Sequence, residues 1–392
     1  MARVLFHIDL NAFFASAEEL RHPEYKDEPL AVGSASARGV VATANYKARE
    51  YGIHSAMPVM QAFALCENLI VVPGDHDYYR KLSNQFFDYL RTWSGALEIL
   101  SIDECFLDVT DVIRHYKRPL DLAVQIQQGV LHKLGLKCSI GVAPTRFLAK
   151  MASDMHKPLG ITVLRKSEIP AKLYPLPVEE MIGIGKKTVP LLKKENIEKI
   201  GDLMLEENQP ALKRILKSSY YDLQKKLKGL SSDQLVFSTT RKSVSHSRTF
   251  QQDLYSEQEL VQAMEQLCRE VCQAMNRAGR KGRMVSLILR DSSFRNKVRS
   301  VSLQNFTNDY AMIRQAAFNL LLENMEEGTG YRLLGISIGS LQDEKKVVLQ
   351  PTLFDKVQQD PTRQVLDTLN KSLQTEEGHP LLMKASDLLK EG

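Results

Sequence analysis

Apolar and polar positions alternate through "VLFHID" (residues 4 to 9), a two-residue period that predicts a strand ending in an acid. Asn11 is then placed to cap a helix through "AFFASAEELR". A loop of small residues, "GSASARG" (33 to 39), leads into "VVATANYKAREYG", read as a strand and then a helix stopped by Gly52. Helical spacing returns over 78 to 93, 119 to 134 and 145 to 156, the last ended by Pro158, with strand patterns at "SIDECFLD" and "KCSIGVA" between them. From about residue 167, two short helical patterns flank a Gly-Ile-Gly turn and helix continues to about 229. Residues 231 to 243 are polar and aperiodic and read as a linker. Beyond them come "SVSHSRTF", a helix capped by Ser256 with Glu259 and ended by Gly279, the strands "RMVSLILRD" and "NKVRSVSLQ", a helix capped by Asn308, and "YRLLGISIGSL". That order, βαββαβ, is a complete small α/β sandwich, followed by a polar tail over 346 to 392.

Composition narrows the class. The chain has 392 residues, 43% hydrophobic and 25% charged, which suits a globular protein of about two to four domains. A net charge of +5 permits a polyanionic partner without requiring one. Cys66, Cys105, Cys138, Cys268 and Cys272 form no CxxC pair, and Cys268 and Cys272 read as core residues on one helix face. With no cleavage pattern near the start and no uncharged apolar run of membrane length, the expectation is a cytoplasmic protein without a membrane partner.

The candidate chemistry lies in "EILSIDECFLDVT" (98 to 110), where two acids stand side by side in an apolar segment. Adjacent strand residues point to opposite faces, so Asp103 and Glu104 serve one site only if the chain turns between them. With strand-end Asp9 they make three carboxylates whose mutual repulsion is relieved by a divalent cation. Hard oxygen donors without His or Cys partners point to Mg²⁺. Two such ions about 3.5–4 Å apart stabilise both the attacking and the leaving oxygen in phosphoryl transfer. On a helix, Thr43, Tyr46 and Arg49 align on one face, and their hydroxyl, phenol and guanidinium suit a polyphosphate, with Lys157 as a further cation.

The segments "HIDLNAFFASAEE", "VVATANYKAREYGI", "SIDECFLDV", "SIGVAPTRFLAKMASDMHKPLGI" and "GIGKKT" resemble the Y-family DNA polymerases of the DinB/UmuC type, in order and spacing, to about residue 345. "APTR" (143 to 146) replaces a more usual Ser-x-Asn-Lys pattern. The resemblance implies an α/β (α+β) right-hand polymerase fold: a palm with a mixed sheet (1 to 10 and 75 to 166), small fingers (11 to 74), a helical thumb with a helix-hairpin-helix (167 to 234), a linker (235 to 242) and a βαββαβ little finger (243 to 345). It implies that Asp9, Asp103, Glu104 and the Leu10 carbonyl hold two Mg²⁺ ions and that Thr43, Tyr46, Arg49 and Lys157 contact the dNTP triphosphate. Phe14 matches the steric gate against a ribose 2′-hydroxyl, while Phe13 packs, and Val40 and Ala42 cover the nascent base pair. The activity implied is low-fidelity translesion DNA synthesis on primer-template DNA, without proofreading, by a monomer.

Two features address how DNA is held. Gly183 and Gly185, followed by Lys186 and Lys187, offer backbone N–H groups and charge to a phosphate. Between 269 and 299 nine basic residues face only Glu270 and Asp291; Arg283, Arg290, Arg295, Lys297 and Arg299 are expected to touch phosphates. "QPTLF" (350 to 354) resembles the motif by which bacterial polymerases dock on the sliding clamp, through Gln350, Leu353 and Phe354. Two other readings compete: a nucleotidyl cyclase with a palm-like sheet, and a DNA-binding scaffold without catalysis.

Overall fold

In the computed structural model, which describes residues 3–237 and 240–347, the chain divides into two units, residues 1–240 and 241–392. The alternation at residues 4 to 9 becomes β1 (Leu5–Leu10). After it come α1 (Phe13–Arg21), β2 (Leu30–Gly33), β3 (Val41–Ala44), α2 (Tyr46–Glu50), α3 (Val59–Leu65), β4 (Ile70–Val72) and α4 (His76–Arg91). Then follow β5 (Leu97–Ile99), β6 (Glu104–Asp108), α5 (Pro119–Leu134), β7 (Cys138–Ala143), α6 (Arg146–Asp154) and β8 (Ile161–Val163). The main sheet has the order β5-β6-β1-β7-β8, with β1 antiparallel to both neighbours and β8 parallel to β7. A small sheet, β3-β2-β4, packs Ala31, Val41 and Ala44 with Ala48 of α2 and Val59 and Ala62 of α3.

The period of two along β1 assigns its two faces. Phe6, Ile8 and Leu10 share a core with Phe86 and Leu90 of α4 and with Leu122 and Ile126 of α5. Leu5 belongs to a second core with Phe147, Leu148 and Ala152 of α6, which puts His7 and Asp9 on the α6 side. Helix α6 can approach this face because Gly141 lies beneath it; a Cβ there would overlap the Ala149 carbonyl oxygen and the Ser153 nitrogen. The second core continues into a helical region, α7 (Ile169–Lys172), α8 (Val189–Lys193), α9 (Gln209–Leu216) and α10 (Tyr220–Leu227), around Leu192, Leu203, Leu212 and Leu227.

The second unit realises the βαββαβ expectation. Its elements are β9 (Ser243–Leu254), α11 (Glu257–Arg277), β10 (Arg280–Asp291), β11 (Asn296–Thr307), α12 (Tyr310–Asn324) and β12 (Tyr331–Gly339). The strands form an antiparallel sheet, β11-β10-β12-β9, with both helices packed on one face around Leu260, Leu267, Leu287, Ile336 and Leu321. Cys268 and Cys272 are buried in that core as expected, and burial pushes their thiols up to about 12 and about 11.

Several local expectations need correction. Asn11 does not cap α1: the cap position is Ala12, in the left-handed region at φ 46°, with no side-chain hydrogen bond. Asn11 is instead buried, donating to Ser139 Oγ at 3.0 Å and accepting from the Leu159 N–H at 2.8 Å. Asp309, not Asn308, caps α12 by accepting from the Met312 N–H at 2.9 Å. Thr43 lies on strand β3, so it shares no helix face with Tyr46 and Arg49. The region read as a linker from 231 is tied down at its start: Leu235 is buried, and the Val236 N–H donates to Glu98 Oε2 at 3.0 Å.

That anchor is itself a buried ion pair. Glu98, whose side chain is 6% exposed, also accepts from Arg146, the last residue of "APTR". Removing one partner leaves a guanidinium and an N–H without their acceptor. Glu98→Ala is therefore expected to destabilise the first unit by about 3 kcal/mol, read from urea unfolding; a loss well under 1 kcal/mol (~0.5) would show the pair to be dispensable.

Candidate active site

The antiparallel register of β1 and β6 sets Asp9 directly opposite Glu104, so both side chains emerge on the α6 face. Strand β5 ends at Ile99, the chain bends through 101 to 103, and β6 begins at Glu104. The bend answers how adjacent acids serve one place: Asp103 stands just outside the strand, and its carbonyl accepts from the Leu10 N–H at 3.0 Å. Its carboxylate accepts from the Ser101 hydroxyl.

The electrostatics of the three acids differ. The Glu104 carboxyl is held down to about 2, first by the hydrogen bond from His7 and then, against the cost of burial, by Lys150. Burial pushes Asp9 up, and Lys157, 2.8 Å away, offsets only part of this; the Asp103 charge adds to the rise. Lys157 also pairs with Asp154 at 2.7 Å, and despite burial the two acids keep its ammonium protonated. Among the described residues, no three His, Cys, Asp or Glu side chains form a ready-made metal cage. Asp9 and Glu104 each hold a lysine instead. The donor set nevertheless fits a hard divalent cation: oxygen ligands only, crowded at one strand end, and already requiring positive charge to lie together.

One pH dependence follows. A carboxylate lowered on folding stabilises the fold above its unfolded value of 4.5, and that contribution is lost as pH falls through about 2. The difference in unfolding free energy between the parent chain and Glu104→Gln, without added metal, should be constant above pH 4.5 and shrink from there toward pH 2. A difference unchanged over that window would contradict the pairing.

Around the acids stand the other candidates. Tyr46 opens α2, and the guanidinium of Arg49 lies 4.7 Å from its ring centroid while donating to the Ala44 carbonyl at 2.9 Å. Burial pushes the Tyr46 phenol up, while the charges of Arg49 and then Lys157 act against that rise. Phe14 stacks on Tyr79 with centroids 4.5 Å apart and planes 15° apart, and His76 meets its edge at 5.6 Å. Tyr79 is buried and donates to Glu18 Oε1 at 2.6 Å, so the surface under Phe14 is fixed. A cleft of about 370 Å³ runs from Phe14 and His76 past Ala42 to Gly33, Ser34 and Ala35. Val40 is exposed and bridges to Pro58 outside that lining.

Comparison with known proteins settles the lineage. The sequence matches the impB/mucB/samB family over residues 8–154, the C-terminal domain of that family over 241–352 and its helix-hairpin-helix motif over 166–197. It is 36% identical to DNA polymerase IV of Ureaplasma parvum serovar 3, covering 90% of this chain and 98% of the relative. It is also 36% identical to DNA polymerase IV 1 of Bacillus subtilis, covering 100% and 94%. Among solved structures, it resembles a Y-family DNA polymerase chimera of Dbh and Dpo4, with a TM-score of 0.77 and 26% identity over 88% of this chain and all of the other. A Dbh DNA polymerase solved as an insertion ternary complex matches with a TM-score of 0.61 at 25% identity, over 88% of this chain and 100% of that one. The chain belongs to the Y-family of DNA polymerases. It is thus a translesion DNA polymerase with the right-hand fold, and a match spanning all three parts favours neither the cyclase nor the inactive scaffold. The family uses divalent metal in general, in accord with the donor set at Asp9.

The polymerase's expected DNA contacts are distributed unevenly. Gly183, at φ 102°, and Gly185 face open space, while Ile184 between them is buried in the second core; Lys186 and Lys187 are exposed. In the second unit, strand register separates the basic residues. Leu287 pairs with Arg299 and Leu289 with Lys297, so those two cations lie on the helix-covered side; Lys297 donates to the Asn324 carbonyl at the end of α12, at 2.9 Å. Arg290 pairs with Asn296 and points to the helix-free face. Arg295 is bound to Asp291 at 2.7 Å in the hairpin turn, and the guanidinium of Arg283 lies 5.4 Å from the Phe306 centroid. The helix-free face also carries hydroxyls, Ser245, Ser247 and Thr249 on β9, Ser337 on β12, Ser286 on β10 and Ser300 on β11, beside the apolar Met284, Ile288, Val298 and Leu333. Gln350, Leu353 and Phe354 lie outside the described residues.

Sequence reasoning missed His7, Lys150, Ser153, Tyr79 and Glu18. For His7 a signal existed: two residues before Asp9 on a strand, it must share that acid's face. Among the described residues no helix is long and apolar enough to cross a membrane.

Proposed function

We propose that this polymerase adds nucleotides to a primer 3′-end at Asp9, Asp103, Glu104 and the Leu10 carbonyl, which hold two Mg²⁺ ions. The observation that carries the reading is Asp9 opposite Glu104, with Asp103 at the bend beside them. When bound, the metal supplies charge stabilisation for the attacking and leaving oxygens. Tyr46, Arg49 and Lys157 bind the triphosphate, Lys157 exchanging its present contacts with Asp9 and Asp154 for phosphate oxygens. Thr43, on its strand, reaches the same group from the adjoining β3 end. Phe14, backed by Tyr79, bounds the sugar, and Ala42 with the small residues at 33 to 35 leaves room over the base pair.

In this account the palm takes 1 to 10 and 75 to 166, the fingers 11 to 74, the thumb 167 to 234 and the little finger 243 to 345, joined through 235 to 242, whose first two residues are anchored on the Glu98 side. DNA is held by the amides near Gly183 and Gly185 with Lys186 and Lys187, and by the little finger. The enzyme works as a cytoplasmic monomer and docks on the sliding clamp through "QPTLF" in its tail. Primer extension past a templating lesion, with and without clamp, tests the whole. Lesion bypass stimulated by clamp, with stimulation abolished by Leu353→Ala/Phe354→Ala, is the expected result. Failure to extend even an undamaged primer-template would overturn the catalytic assignment, and stimulation that survives the double substitution would overturn the docking assignment.

A further inference from the structure

The Glu104 carboxylate is held in an asymmetric way. The Nε2–H of His7 donates to Oε2 at 3.0 Å, and the Lys150 ammonium contacts the same oxygen. Oε1 has no hydrogen-bond partner among the described residues. Two supports on one oxygen fix the plane of the carboxylate and leave the other oxygen free to act as a ligand.

The histidine is fixed in turn. It is wholly buried, its Nδ1 lies 2.8 Å from the Oγ of equally buried Ser153, and its ring meets Phe106 edge-on at 4.9 Å. The Ser153 hydroxyl lies 2.8 Å from the Lys150 carbonyl, one turn back along α6. A carboxylate only accepts, so Nε2 carries a proton whichever role Nδ1 plays toward the hydroxyl. The path from helix to acid is therefore continuous: α6, Ser153, His7, Glu104. It exists because Gly141, paired with His7 in the β1–β7 register, lets α6 sit close to the sheet.

We infer that His7 and Ser153 are positioning residues that lock the orientation of Glu104, directing its free oxygen to the divalent cation. The inference rests on the proposed metal role of Glu104. Groups that orient a metal-binding side chain typically account for about 10–100-fold in metal affinity. Lysine 150 differs from them: its cation opposes a metal ion at the same carboxylate, whereas the imidazole orients that carboxylate from within the core.

The test is Mn²⁺ binding, followed by electron paramagnetic resonance, to the full chain on a dideoxy-terminated primer-template with dNTP. Glu104→Gln reports on the metal role alone. If it binds Mn²⁺ as tightly as the parent, the metal assignment fails before His7 is in question. With Glu104→Gln weakened, His7→Phe should weaken Mn²⁺ binding by about 10–100-fold and His7→Gln, which restores a donor, should recover part of it. Unchanged affinity in His7→Phe overturns the inference. If His7→Phe does not fold, Ser153→Ala decides: a several-fold loss of Mn²⁺ affinity with an unchanged unfolding midpoint supports the relay, and unchanged affinity overturns it.

Discussion

Asp9→Asn and Glu104→Gln are each expected to slow single-turnover nucleotide addition by at least about 10²–10³-fold, the scale seen when a group that stabilises developing charge is removed. The two acids face each other across β1 and β6, and each already holds a lysine to offset its charge. An amide keeps the size and much of the hydrogen bonding but lacks the charge that draws a divalent cation. Primer-template binding should stay within about twofold, because the proposed phosphate contacts are made by other residues. Near-normal extension by either variant would remove that acid from the chemistry, and an equal fall in DNA affinity would mean that the substitution had disturbed the fold.

Phe14→Ala is expected to admit ribonucleotides, lowering discrimination between dCTP and rCTP by roughly 10–200-fold. The ring is held between Tyr79 beneath it and the edge of His76, in a cleft that also contains Ala42. It cannot yield to an added 2′-hydroxyl without breaking that stack. Truncation opens the space directly while Tyr79, fixed by Glu18, stays in place. Unchanged discrimination by Phe14→Ala would move the gate to another residue.

Much of this arrangement was legible in periodicity. The strand carrying Asp9 and the βαββαβ unit follow from short-range patterns that local backbone preferences enforce, whereas the bend before Glu104 entered only as the condition under which two adjacent acids can serve one site. Features that depend on distant partners were not legible. Asn11 has the composition of a helix cap, yet Ser139 and Leu159, far along the chain, claim its side chain. Glu98 looks like a surface acid until Arg146 and Val236 are brought to it. The basic cluster between 269 and 299 reads as one patch in sequence, but the pairing of Leu287 with Arg299 sends part of it to the helix-covered side. The spacing of His7 from Asp9 shows that the two share a face, but its partners Ser153 and Glu104 come together only in three dimensions. The polymerase's acids were therefore readable, and the partners that surround them were not.

Asp9, Asp103 and Glu104 are proposed to gather two metal ions for nucleotidyl transfer. The deciding measurement is the count of Mn²⁺ on the ternary complex of enzyme, dideoxy-terminated primer-template and dNTP. The expected result is two ions per chain with the spin coupling of a pair about 3.5–4 Å apart, both lost in Asp9→Asn/Glu104→Gln. Two coupled ions that persist in the double variant would contradict it.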